Sequence, residues 1–296
     1  MPGKKPKYKL IIVLLMILAA TTAFADVKTG ITGKVEWDTL RFDAVVSLDL
    51  ASADIKLPSG RLKGEAIINA EYLKLIRPGI MALQVDSSST IADLVARGEL
   101  TLQDADKLAL DAFSIPPAMS QDLKNLTAFY TLTLSSVSAA LLRHERAFPV
   151  MRTLIPVSAA AYTGIVIIAP EKLPVHGMRG SALPAPCLFP KIWDTDMNLI
   201  YERNMLEKKD CAMVRYSPVS GIFQNNPSGL SAELREIVGE RPLRIFARGV
   251  FGINPTDLII DREDALLVIS SEENRRLLSQ GKVVFILDES VLRSEF

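Results

Sequence analysis

Two short apolar runs limit what this chain can build. The stretch GIVIIA at 164–169 and the stretch VVFIL at 283–287 are apolar at nearly every position. Both fall far short of the ~20 apolar residues that a membrane-spanning helix needs. At strand length, side chains alternate between the two faces of a sheet, so an apolar residue at every position means burial on both. A different pattern stands upstream. Leu126, Ala128, Tyr130, Leu132 and Leu134 alternate with other residues, which reads as a strand with one face in the core and one in water.

Between these strands lie helical stretches in no strict β-α order, so an α+β fold is expected. The segment 61–76 places Leu62, Ala66, Ala70, Leu73 and Ile76 at helical spacing, and Arg77-Pro78-Gly79 reads as its end. Thr101 with Asp104 three residues on marks a capped helix, as does Ser231 before Leu234 and Ile237. The segment 262–281 reads as one helix stopped at Gly281, and 187–202 as a hairpin turning at Asp194 to Asn198. Proline-bearing residues 146–156 read as a linker between two modules, 27–145 and 157–296. Each module is expected to be a mixed or antiparallel sheet packed with helices around its own core.

The first 25 residues read as an export signal. Lys4, Lys5, Lys7 and Lys9 form a basic start, Leu10 to Ala20 is uninterruptedly apolar, and Ala23-Phe24-Ala25 is an A-x-A cleavage pattern. Cleavage is expected between Ala25 and Asp26, leaving a soluble periplasmic chain; an uncleaved N-terminal anchor is the other reading. Asp26 stands where a lipoprotein would carry cysteine. The chain is balanced at 34 basic and 34 acidic side chains, and losing the four leader lysines leaves it mildly acidic. That argues against nucleic acid as a partner, which asks for a basic face.

The chemistry-bearing residues are few. Cys187 and Cys211 are a candidate disulfide in an exported chain, and two unpaired buried thiols are the alternative. With only His144 and His176 besides, and neither at ligand spacing from a cysteine, no metal site and no cofactor are expected. DTDMN at 194–198 has the alternating oxygens of a calcium loop, but Leu199 and Met205 stand where glycine and a bidentate glutamate are required. Gly249 and Gly252 lack the rest of a phosphate-cradling loop and read as turn or bulge glycines. No G-x-S-x-G nucleophile motif occurs, and His176 lies in a loop beside Arg179. No catalytic residue is assigned.

Two stretches also resemble known envelope proteins. Trp37 on a strand, the helix from Arg61 to Ile76, and VDSSSTI at 85–91 resemble the N-terminal module of LPP-type bacterial envelope lipoproteins, shared with flagellar assembly protein T. TGIVIIAP at 163–170, PKIWDTDMNLIY at 190–201 and GKVVFILD at 281–288 resemble a C-terminal module often attached to it. The lipobox is absent, and Ala169-Pro170 and Asn198-Leu199 depart from the usual pattern. The resemblance implies a non-enzymatic envelope assembly or structural protein, near the flagellar basal body, with envelope or flagellar proteins as partners. A periplasmic receptor for cell-wall glycan or a small molecule is the alternative. The resemblance further implies that Trp37 packs against helix 61–76 on its Leu62, Ala66, Ala70 and Leu73 face, so that Ala70→Leu overpacks.

Overall fold

A computed structural model describes residues 27–56, 59–154, 157–207 and 212–296. The leader, its Ala25–Asp26 cleavage site and Cys211 lie outside the described residues. The first module runs β1 (Thr29–Glu36), β2 (Arg41–Asp49), α1 (Arg61–Met81), β3 (Gln84–Asp86), β4 (Ser89–Thr90), α2 (Ile91–Ala96), α3 (Leu102–Leu110), β5 (Phe113–Met119), β6 (Asn125–Thr133) and α4 (Leu134–Leu141). The second runs β7 (Ile165–Ile168), β8 (Leu173–Pro174), β9 (Ser181–Ala182), β10 (Ile192–Asp194), β11 (Leu199–Tyr201), β12 (Arg215–Pro218), α5 (Ala232–Val238), β13 (Leu243–Phe246), β14 (Gly249–Phe251), β15 (Asp257–Ile260), α6 (Arg262–Ser270), α7 (Glu272–Ser279), β16 (Val283–Leu287) and β17 (Arg293–Glu295). The fold is α+β. Among the described residues, no helix is long and apolar enough to cross a membrane.

The first sheet is antiparallel, ordered β17-β1-β2-β6-β5. Strict alternation decides its two faces. Phe42, Ala44, Val46 and Leu48 on β2 point inward with Leu126, Ala128, Tyr130 and Leu132 on β6, and each large apolar side chain removed from water contributes about 1.5–3 kcal/mol. Helix α1 lies over that face. Gly64 permits the approach, since a Cβ there would sit 2.9 Å from Leu126. Tyr72 stacks on Tyr130 at 3.8 Å between ring centroids and donates its hydroxyl to the Ala109 carbonyl at 2.8 Å.

The expected packing face of this helix is corrected. Gly64, Ile68, Tyr72, Ile76 and Ile80 are buried, whereas Leu62, Ala66 and Ala70 are exposed. Apolar residues occur all round this helix, so its spacing fits more than one stripe, and the sheet chose the one that offers glycine and tyrosine. The helix also passes through Pro78 to Met81 instead of ending at Ile76. An interior proline costs a hydrogen bond and a clash. Burial of Ile80, and the seating of the Phe296 ring against Gly79, offset it. Pro116 and Pro117 lie within β5, which stands at the sheet's edge with a register shift beside them, where missing donors are tolerated.

The second module holds two four-stranded sheets. In the order β12-β16-β7-β13 every pair is parallel, more regular than the mixed or antiparallel arrangement expected. The other, β11-β10-β15-β14, is mixed, with the expected hairpin at β10–β11. The apolar runs are explained by two cores. Val166, Ile168, Val284 and Ile286 face a small core under α5, while Ile165, Ile167, Val283 and Phe285 face the main core. Two segments divide where the sequence suggested continuity. Residues 243–251 turn a corner at Ala247-Arg248 and supply strands to both sheets. Ser271 adopts an extended conformation and caps a fresh helix, its Oγ accepting from the Asn274 amide at 3.0 Å, so 262–279 is two helices.

The expectation of separate cores is also corrected. One hydrophobic core runs from Val35 and Trp37 through Ile167, Tyr216 and Phe285 to Leu292. Strand β17 leaves the second module to pair with β1, and the Phe296 ring stacks on Phe42 at 4.9 Å while lying against Gly33.

Candidate functional site: the seam between the modules

The β3–β4 hairpin of the first module is held by the second through main-chain bonds. Leu188 and Phe189 donate to the carbonyls of Gln84 and Val85 at 3.0 and 2.8 Å, and Asn254 donates to that of Ser87 at 2.9 Å. Behind them lies Asp257, completely buried at the start of β15. Its carboxylate accepts from Ser87 Oγ at 3.0 Å, Trp193 Nε1 at 3.1 Å and the Lys191 amide at 3.0 Å. Burial pushes the Asp257 carboxyl above its ordinary value, against the pull of those three donors. With its lone pairs so engaged, it acts as a clamp across the seam, not as a free base.

Close approach here depends on Gly252. Its φ is +111°, and a Cβ would lie 2.3 Å from that of Ser87. The weak Gly249/Gly252 motif thus serves, at its second glycine, a contact between modules. Trp37 is buried at the same seam, meeting Tyr216 edge-on at 5.9 Å and donating its amide to the Leu292 carbonyl at 2.9 Å. The Tyr216 hydroxyl donates to the Cys187 carbonyl at 2.7 Å and accepts from the Cys187 amide at 3.1 Å. Cys187 is buried, and burial drives its thiol well above the usual range, which suits an inert packed thiol. Its pairing with Cys211 falls outside the described residues.

The remaining sequence candidates are spread apart. Asp194 is buried in the β10–β11 turn, where Oδ1 accepts from the amides of Asp196 and Asn198 at 3.0 and 2.7 Å, and Oδ2 from Asn198 Nδ2 at 2.8 Å. Its acceptors are spent on the turn. His176 is exposed, 6.0 Å from the Phe251 ring, which meets Trp193 edge-on at 5.7 Å, with Lys191 Nζ 5.8 Å from the Trp193 ring centroid. His144 donates Nε2–H to the Leu206 carbonyl at 2.9 Å, across the seam. Among the described residues, no group of three or more His, Cys, Asp and Glu side chains is placed to hold a metal ion. An open cleft of about 530 Å³ lies between the β1–β2 turn, β12 and α5, with Asp38, Arg215, Glu233 and Glu236 on its walls.

Sequence reasoning missed Ser87, Asp257 and Gly252 as a unit, because 170 residues separate the serine from the aspartate. A local signal did exist nearby. Thr90 and Asp93 form a capping box that starts α2, with Thr90 N and Oγ1 donating to Asp93 Oδ2 at 2.7 and 2.8 Å.

No curated protein matches the chain. Residues 28–140 match the family described as Treponema pallidum Tp0624, N-terminal domain, and residues 164–289 the family described as Treponema pallidum Tp0624, second domain. Neither description mentions LPP-type lipoproteins or flagellar assembly protein T. The matched stretches bracket the seam from both sides, so the chain is similar, module by module and in the same order, to the N-terminal and second domains of one protein, Treponema pallidum Tp0624.

Proposed function

We propose that this chain is a non-enzymatic protein of the cell envelope, exported to the periplasm, which works by holding protein partners in an assembly. The flagellar basal body is the setting suggested by the resemblance of its strands and hairpin to flagellar assembly protein T. The observation that carries the reading is an apolar row on the outer face of the first sheet. Ile115 on β5, Phe129 on β6 and Val45 on β2 stand opposite one another across three neighbouring strands. Phe113 lies two residues from Ile115 on the same face, and it is 71% exposed, with Ile115 and Phe129 at 52% and 44%. The row ends at the edge strand β5, where Pro116 and Pro117 lack donors and Arg61 donates to the Pro117 carbonyl at 2.9 Å, so its side chains and not its backbone offer the contact. An exposed apolar patch of this kind is the usual substrate of protein–protein contact.

The test is photo-crosslinking in cells from position 113, together with N-terminal sequencing of the mature protein. The reading expects an N-terminus at Asp26 and an envelope or basal-body protein on the crosslink, lost in Phe129→Asp without loss of stability. A retained Met1 sinks the export half. A second reading, a receptor for wall glycan, draws on the His176, Phe251 and Trp193 rings, whose faces suit sugar stacking. Saturable quenching by wall fragments, lost in Phe251→Ala, with no crosslinked partner, would put this second reading first.

A further inference from the structure

Where the linker leaves α4, a small pocket of about 100 Å³ opens between the modules. It is lined on one side by Glu99, Arg143 and His144, and on the other by Arg203 and Asn204 of the 3-10 turn Arg203–Met205. A volume of this size takes about three waters or one tetrahedral anion. Its charge is the informative part. Among the described residues, neither Arg143 nor Arg203 forms an ion pair. Arg143 donates to the Glu99 main-chain carbonyl, and Arg203 lies over the Phe189 ring with its Cζ 5.6 Å from the centroid. The lining carboxylate, Glu99, is already engaged by Arg97 at 2.6 Å, and Asn204 Nδ2 donates to the neighbouring Glu202 at 3.1 Å.

His144 adds a directional feature. Leu206 O can only accept, so the 2.9 Å contact fixes the proton on Nε2. Nδ1 is then a lone pair, buried and without a partner among the described residues. A buried polar atom of this kind calls for a bound water or ligand. A hydrogen phosphate suits both features, since its P–OH can donate to the Nδ1 lone pair while its other oxygens accept from the arginines. We propose that this pocket binds a small tetrahedral oxyanion of the phosphate class, with Arg143 and Arg203 supplying charge and His144 Nδ1 accepting the anion's P–OH. The site is independent of the envelope reading. It joins a residue pair from each module, so its occupant would also brace the seam.

Two histidines in the chain make the test direct. The Cε1–H signals of the whole purified protein are followed by NMR, with His176→Asn assigning them, while inorganic phosphate is titrated in. Saturable movement of the His144 signal alone is expected. Arg203→Met should weaken binding about tenfold or more. His144→Gln keeps a donor for Leu206 O yet lacks Nδ1, so calorimetry should show phosphate binding weakened while the protein stays folded. Sulfate, which carries no proton at neutral pH and so offers Nδ1 no donor, should bind more weakly than phosphate in the same titration. Glycerol phosphate tested alongside tells whether the source is free phosphate or a monoester. A His144 shift that sodium chloride reproduces at equal ionic strength, or binding unchanged in Arg203→Met, overturns the proposal and leaves water as the occupant.

Discussion

The antiparallel sheet of the first module and the parallel sheet of the second solve burial differently. On β2 and β6 every second side chain is in the core. On β7 and β16 every one is buried, because Val166 and Ile286 face the small core under α5 while Ile167 and Phe285 face the main core. The first sheet spends its other face on solvent and on an exposed apolar row. Along β7 and β16 the second has no such face, and its inner side continues into the core of its neighbour. A sheet covered on both sides ties its module to whatever covers it, so the two modules should unfold as one.

The largest effect expected is from Trp37→Ala. The side chain is 5% exposed and touches Tyr216 of the other module, so its loss should cost about 3–5 kcal/mol. Because the core is continuous, the cost should appear in a single transition, seen alike by circular dichroism and by Trp193 fluorescence. Two separate transitions, with only the first displaced, would restore the picture of independent cores.

Gly252→Ala comes next. At φ +111° a side chain strains the backbone by about 1–3 kcal/mol, and the new methyl collides with Ser87. Gly98→Ala in the first module is the control, since its φ is +72° but nothing lies within 4 Å of a Cβ. Urea midpoints should fall further for Gly252→Ala, and the difference between the two measures crowding at the seam. Equal losses would mean the seam gives way freely.

The pH dependence separates the regions by sign. Burial raises the Asp257 carboxyl, so the stability it contributes is present below the ordinary value of 3.8 and is lost as pH rises through its raised value. Asp104, at the start of α3, is pulled down to about 2, first by its bond from Thr101 and then by Lys107. Its contribution is present above 3.8 and is lost as pH falls through about 2. Asp257→Asn should therefore flatten the first dependence and Asp104→Asn the second, read from urea midpoints across pH. A wild-type slope retained in Asp257→Asn would show that the seam carboxylate does not carry it.

The smallest effect belongs to Ala70→Leu. Ala70 is exposed on α1, so the change should stay within about 0.5 kcal/mol, in place of the overpacking that the sequence suggested. A loss above about 1 kcal/mol would put the helix face back where its spacing first placed it.

Much of the backbone was legible because its causes are local. Alternation on β6, the Thr101 and Ser231 caps, the Asp194–Asn198 turn and the buried runs at β7 and β16 rest on residues within a few positions of one another. Ser271 and the Thr90–Asp93 box were legible on the same terms and were overlooked. What the tertiary structure alone decided involves groups far apart in sequence. Apolar residues occur all round helix α1, so only the sheet beneath it selected Ile68, Tyr72 and Ile76. The passage through Pro78 depends on Phe296, the pairing of Ser87 with Asp257 spans the linker, and the pocket at His144 takes Arg203 from the other module. Local spacing records which side chains share a face. Which surface that face meets is set by the packing of the whole chain, where burial, close approach and charge are settled together.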